Sequence, residues 1–293
     1  MPPREAPDFP GPIEFDADAL RTALARPGAG VPPAWSAPDA VRVVASTGST
    51  STDLVDLGRR AVHDRRAADV PRRRVLAALD QTSGRGRHGR QWLAGTGQIT
   101  FSIGMTLELA PAVLGGLALV CGLATRDALD LLGADCRLKW PNDLVDAQGA
   151  KLGGLLVEVV SIASGGPVWV VLGIGINRKL DAGVRAQLAE RGVTDLDAVG
   201  AVGLDPNRLV ANLVERLEAS LETFVHHGFA PFRDWFDRVH VYQDRMVRLG
   251  DGAASWEGRF AGVGPGGEAR LVIDGTREIA QLSGELSLRP TPA

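Results

Sequence analysis

The chain has 293 residues, of which 45% are hydrophobic and 23% charged, and its 32 Lys and Arg against 35 Asp and Glu leave a formal charge of −3. That composition excludes wholesale disorder, collagen and coiled coil, and the near-neutral balance speaks against a protein devoted to coating nucleic acid. The length suggests about two domains at about 150 residues each, large enough to bury a core without staples. Two cysteines, Cys121 and Cys136, are too few for a disulfide framework and are expected to be reduced packing residues. The most apolar window, Val113 to Ala124, is shorter than the roughly 20 residues a bilayer requires. The N-terminus lacks a basic-then-apolar leader, so a cytoplasmic protein without membrane contact is expected.

Residues 1–39 are rich in proline and are expected to form a partly flexible extension, with a short helical pattern over Ala17 to Ala25. Val41 to Ala45 predicts a short strand, and Thr50 to Val62 a helix capped by Ser49 or Thr50. Val75 to Leu79 predicts a second strand. From Ile99 to Leu107, apolar residues alternate with Thr100, Ser102, Gly104 and Thr106, the pattern of a half-buried strand. Pro111 to Leu132 predicts a buried helix and Val168 to Ile176 a central strand. Leu209, Val210, Leu213, Val214, Leu217, Leu221 and Phe224 recur at helical spacing over Pro206 to Val225. Strands with helices on one side suggest an α+β class with a mixed sheet. Beyond His240 come short strands, Gly-rich turns and the two-residue hairpin signal Asp274-Gly275, expected for a small β-barrel. The expected division is therefore 1–39, 40–240 and 241–293.

Five stretches carry chemistry. Ala45 to Thr52 is a run of hydroxyls at a strand-to-helix junction, which serves either as a cap or as donors for an anionic or polar ligand. Gly84-Arg85-Gly86-Arg87-His88-Gly89-Arg90-Gln91-Trp92 alternates glycine, which permits close backbone approach, with guanidinium forks suited to phosphate or carboxylate. It reads as a small-anion loop, a nucleic-acid contact or a plain surface turn. Lys139-Trp140-Pro141-Asn142-Asp143 takes a strand into a fixed corner bearing a cation, an amide and a carboxylate, or is an ordinary strand exit. Lys151-Leu152-Gly153-Gly154 opens a strand with an amine that points either to solvent or into a site. Gly173-Ile174-Gly175-Ile176-Asn177 ends a buried strand, a weak signal by itself.

In this order the stretches resemble the biotin–protein ligase family over about Val41 to Val225, with a tail from about Val241 similar to that family's small SH3-like domain. The resemblance implies a mixed-sheet catalytic domain of the biotin/lipoate ligase type with helices packed on it. It implies an enzyme that joins biotin to ATP as biotinyl-5′-adenylate and passes the biotinyl group to a lysine of a biotin carboxyl carrier domain in a biotin-dependent carboxylase. ATP and biotin would be substrates and Mg²⁺ a companion of the phosphates, its protein ligands left unassigned. Carried over by position, Ser49, Thr50 and Gln81 would contact the biotin ring. Gly84, Arg85, Gly86 and Arg87 would form the adenylate loop, with Arg90 reaching phosphate and Trp92 near the adenine. Lys139, Asn142 and Asp143 would sit near the triphosphate, and Lys151 would bridge the biotin carboxylate and the α-phosphate. Gly154, Gly173, Gly175 and Asn177 would line biotin and nucleotide. Lys151, Arg87, Lys139 and Asp143 are the expected catalytic set. Two departures stand out: Ser51 where the family usually has Asn, and His88 at a commonly basic or polar position.

Family members with a repressor role carry an N-terminal winged helix. Residues 1–39 leave no room for one, so operator binding is not expected, and a monomer or weak homodimer is. The rival readings are a lipoate ligase or octanoyl transferase of the same superfamily, a nucleic-acid module using Arg72 to Arg74 with Arg85, Arg87 and Arg90, and a non-catalytic biotin or adenylate sensor.

Overall fold

A computed structural model describes residues 15–25, 33–64, 70–92, 97–180, 192–250, 255–281 and 287–290. Most of the N-terminal prolines lie outside them. The first unit is a seven-stranded sheet in the order β1-β2-β5-β9-β8-β7-β6. Its strands are β1 (Val41–Thr47), β2 (Arg73–Gln81), β5 (Gln98–Leu107), β6 (Arg137–Lys139), β7 (Asp143–Val145), β8 (Lys151–Ser161) and β9 (Val168–Asn177). β1 and β2 run parallel and every other pair is antiparallel. Between β2 and β5 a two-stranded hairpin, β3 (Gly84–Arg85) and β4 (Gln91–Trp92), stands apart from the sheet.

Helices cover both faces, not one. On the first face α1 (Ala17–Leu24), α3 (Leu117–Asp130) and α4 (Pro206–His227) pack into the main core, while α2 (Thr50–His63) covers the second, over Trp169, Val171 and Leu76. α4 begins at an Asp205 cap whose side chain accepts from the Asn207 N–H, followed by Pro206, a residue pre-organised for a first turn. Its stripe from Leu209 to Phe224 is buried as the spacing requires, each large apolar side chain contributing about 1.5–3 kcal/mol. Phe15, Leu20, Leu24 and Trp35, from the segment expected to be a partly flexible extension, are buried in the same core. The Trp35 indole N–H donates to Glu218 on α4, and Glu218 also pairs with Arg73 on β2.

Three expectations are corrected. β5 is a central strand covered on both faces, not a half-buried one, because its small polar positions face α2, where Ser102 bonds to Thr50 and Ser51. The segment Pro111 to Leu132 is broken: a 3-10 turn over Pro111–Val113 gives way to α3 only after Gly116, which takes φ +79°. The Asp274-Gly275 turn spans three residues, since Ile273 pairs with Arg277. Met246–Gly250 (β10), Ser255–Val263 (β11), Ala269–Ile273 (β12), Arg277–Gln281 (β13) and Ser287–Pro290 (β14) form the second unit. It is an antiparallel sheet in the order β13-β12-β11-β10-β14. α5 (Arg233–Val239) leads into it.

Candidate active site

At the junction of β1 and α2, the Ser49 hydroxyl caps the helix by accepting from the Thr52 N–H at 3.4 Å. The Gln81 side-chain oxygen, at the end of β2, accepts the Thr50 N–H at 3.0 Å. The Thr50 and Ser51 hydroxyls converge on that of Ser102 at 2.8 and 3.0 Å. Ser49, Thr50, Ser51, Gln81 and Ser102 are buried. Behind them Gly173 on β9 has no room for a side chain, because a Cβ there would fall 2.0 Å from Ser51 Oγ. The result is an uncharged cluster of fixed hydrogen-bonding groups, a candidate pocket for a small neutral polar ring.

The Gly-Arg stretch closes on itself as a hairpin. Gly84 pairs with Trp92 and Arg85 with Gln91, and His88 and Gly89 make the turn at φ 56° and 70°. Arg85 reaches Glu158 on β8 at 3.1 Å and Thr52 at 3.3 Å. Arg87 donates to the Asn142 side-chain oxygen at 3.4 Å. Burial lowers the Arg87 pKa from its ordinary value, Asp143 opposes that, and Arg90 adds to it. A partly desolvated guanidinium with one long hydrogen bond is prepared to take an anion. Gly86 donates its N–H to the Arg90 carbonyl at 2.7 Å to tie the hairpin, and the Arg90 side chain is exposed. The Trp92 indole lies on Gly175, where a Cβ would come within 2.5 Å of the ring, and its buried N–H has no partner.

Below the hairpin, the Asp143 carboxylate sits between two ammonium groups, Lys151 Nζ at 2.6 Å and Lys139 Nζ at 3.5 Å. Lys151 Nζ also stands 5.7 Å from the Trp92 ring centroid. The Asn142 amide donates to the Leu155 carbonyl at 2.6 Å, pinning the corner to β8, and Gly154 pairs opposite Asp143. Asn177 is engaged internally: it accepts from Gln98 at 3.2 Å and donates to the Thr194 and Lys151 carbonyls at 3.0 and 3.3 Å.

Lys139, Asn142, Asp143, Lys151, Arg87 and Trp92 thus form one charged corner. Ser49, Thr50, Gln81 and Gly173 form a neutral pocket at its side, with Gly175 between them on β9. Arg85 turns toward Glu158. Sequence reasoning missed Ser102, Gln98 and Glu158. Gln98 leaves a buried side-chain oxygen unpartnered beside Asn177. Ser102 stood in the alternating pattern of β5 but reads there as solvent-facing. Arg72, Arg73 and Arg74 each pair with a carboxylate, Glu108, Glu218 and Asp39 respectively. Both cysteine thiols are pushed up to about 12 by burial, which makes them poor nucleophiles. No described helix is long and apolar enough to cross a membrane.

A family model described as the biotin/lipoate A/B protein ligase family matches residues 44–177. The bifunctional ligase/repressor BirA of Escherichia coli is 36% identical over 211 residues, 71% of this chain and 64% of that protein. The chain thus spans a little under two thirds of that relative's length. The biotin–[acetyl-CoA-carboxylase] ligase of Mycobacterium tuberculosis is 38% identical over 213 residues, 71% of each chain. That of Paracoccus denitrificans is 34% identical, over 70% of this chain and 86% of its own. Among solved structures, the biotin protein ligase of Aquifex aeolicus in complex with biotin and ATP is similar with a TM-score of 0.67 at 27% identity, covering 86% of this chain and 99% of that one. The Mycobacterium tuberculosis and Paracoccus denitrificans relatives, matched over more than two thirds of their own length, decide the affiliation: the chain belongs to the biotin/lipoate A/B protein ligase family, among its biotin–protein ligases.

Proposed function

We propose that the protein activates biotin with ATP as biotinyl-5′-adenylate, releasing pyrophosphate, and then transfers the biotinyl group to one lysine of a biotin carboxyl carrier domain, releasing AMP. The observation that carries this reading is the Asp143 carboxylate held between the Lys151 and Lys139 ammoniums. A carboxylate and a triphosphate repel by about 4 kcal/mol per pair of unit charges at 4 Å and an effective dielectric near 20. Two lysines and a partly buried Arg87 offset that repulsion. The biotin carboxylate oxygen attacks the α-phosphorus, its P–O bond to pyrophosphate breaks, and no covalent enzyme intermediate is required. In the second step the neutral carrier amine attacks the acyl carbon, AMP departs with the bonding pair, and the amine's extra proton passes to water.

The neutral pocket of Ser49, Thr50, Gln81 and Ser102 receives the biotin rings. Trp92 and the unpaired Gln98 oxygen are suited to the nucleotide base. Lys151 bridges the two reacting anions, and Lys139 and Arg87 hold the phosphates. Among the described residues no group of three or more His, Cys, Asp or Glu side chains is arranged to hold a metal. Asp143 would be the protein carboxylate nearest a Mg²⁺ ion carried by the triphosphate and water, and such an ion would supply charge neutralisation.

The carrier has a place to dock by strand addition. Among the described residues β7 pairs with β8 only between Lys151 and Gly154, and Val159, farther along β8, is 42% exposed. An open edge of this kind accepts a strand through main-chain bonds. Incubation with ATP, Mg²⁺, biotin and a carrier fragment should add the mass of one biotinyl group to one carrier lysine. If lipoate or octanoate drives pyrophosphate release and biotin does not, the reading is wrong.

A further inference from the structure

The second sheet meets the strand exit of the charged corner at Trp140, whose side chain is fully enclosed. Its peptide N–H donates to His240 Nε2 at 3.0 Å and its indole N–H to the Gly267 carbonyl at 2.9 Å. Both acceptors come from outside the seven-stranded sheet. His240 ends α5, bridges Leu138 of β6, and stacks on Phe260 of β11 with ring centroids 4.2 Å apart. Gly267 lies in the turn between β11 and β12. That turn presses on the start of α3, where a Cβ on Gly267 would fall 2.7 Å from the Gly116 Cα. β6, by contrast, is a three-residue edge strand. The residues after Trp140 are the ones that hold the lysines: Asn142 is tied to β8 and Asp143 to Lys139 and Lys151.

We propose that His240 and Trp140 are positioning residues, through which the second sheet and α5 lock the Asn142–Asp143 corner in its catalytic geometry. The inference rests on the ligase reading for its kinetic consequence, but not for its structural one. Burial among Phe236, Tyr242 and Phe260 keeps the ring neutral, with Lys139 adding in the same sense; a neutral ring has one acceptor nitrogen, and the Nδ1–H tautomer puts the lone pair on Nε2, where the Trp140 N–H at 3.0 Å is the shorter of two backbone contacts, the Tyr242 N–H standing 3.2 Å from Nδ1. Both side chains are buried behind the corner. Their removal therefore loosens the phosphate end of the site and leaves the Ser49–Ser102 pocket intact.

The test compares His240→Phe, which keeps ring bulk but has no acceptor, with His240→Gln, whose side-chain oxygen replaces Nε2, and adds Trp140→Phe. Three readouts are biotin-dependent ATP–pyrophosphate exchange, biotin binding by calorimetry, and amide hydrogen exchange of a peptide covering residues 137–145. His240→Phe and Trp140→Phe should lower turnover or raise KM for ATP by about tenfold to a hundredfold, the cost of a misplaced reacting group. Biotin affinity should hold, exchange at 137–145 should rise, and His240→Gln should recover most of the loss. Wild-type exchange at 137–145 in both variants overturns the proposal, as does equal loss of biotin and ATP binding. A wild-type protein without biotin-dependent exchange overturns the ligase reading instead, while the amide arm still decides the positioning role.

Discussion

The pocket at the β1–α2 junction and the corner at β6–β8 lie against the same strand, β9, and are built on opposite principles. The first is neutral, with each hydroxyl already bonded to a protein neighbour, so binding there exchanges hydrogen bonds inside a fixed frame. The second is charged, with Asp143 only partly offsetting the lysines that substrate anions would claim. Pre-bonded neutral groups give shape selectivity at low reorganisation cost. Ion pairs that are partly exposed, such as the one at Lys151, contribute little to stability and are free to be redirected. A binding site and a reacting site can therefore sit side by side, provided that only the second carries net mobile charge.

The strongest way to break that contrast is to remove its central cation. Lys151→Ala should cut biotin-dependent pyrophosphate exchange by about a hundredfold to a thousandfold, the scale of one lost transition-state donor, with an unchanged melting temperature. Near-wild-type exchange would show that the amine is a bystander. Two glycines on β9 separate the halves more finely. Gly173→Ala drives into Ser51 and should weaken biotin binding, whereas Gly175→Ala drives into Trp92 and should weaken ATP binding, each by about tenfold or more for overpacking that costs 1–3 kcal/mol. Steady-state KM values for both substrates check the pairing, and a reversed or uniform pattern would refute it.

Acidity probes the support behind the charged corner. Burial depresses His240 from 6.5 to about 3, so between those values the unfolded chain binds the proton and the folded one does not. Stability should then fall by about 1.4 kcal/mol per pH unit as pH drops from 6.5 toward 3, and this contribution should be flat above 6.5. Urea midpoints against pH should lose that slope in His240→Phe. The smallest effect is expected at the neutral pocket, where Ser102→Ala removes a shared partner of Thr50 and Ser51. A net hydrogen bond is worth about 0.5–1.5 kcal/mol, so biotin affinity should drop severalfold while KM for ATP stays put.

Much of this was legible in the chain because the chemistry sits in contiguous words. Lys151 at a strand start, Asp143 after a Pro corner and Ser49 before a helix each announce a position by local rules of capping and strand exit. The family resemblance then joined them. What stayed hidden lies in pairings between distant segments. Ser102 meets Thr50 across 52 residues, and a period of two cannot say whether water or a helix covers the polar face. His240 meets Trp140 across 100 residues, and nothing in either neighbourhood distinguishes that histidine from a surface one. The second covered face went unread for the same reason: helical periodicity shows that α2 has an apolar side but not against which side of a sheet it lies.

The bare stretch of β9 has one more implication. Because Gly173 and Gly175 bring unadorned main chain against Ser51 and Trp92, that wall offers no side chain to exchange when a homologue drifts toward another acid. Any redesign of acid preference should therefore randomise the facing surface, Ser51 and Ser102, and leave the strand as it is.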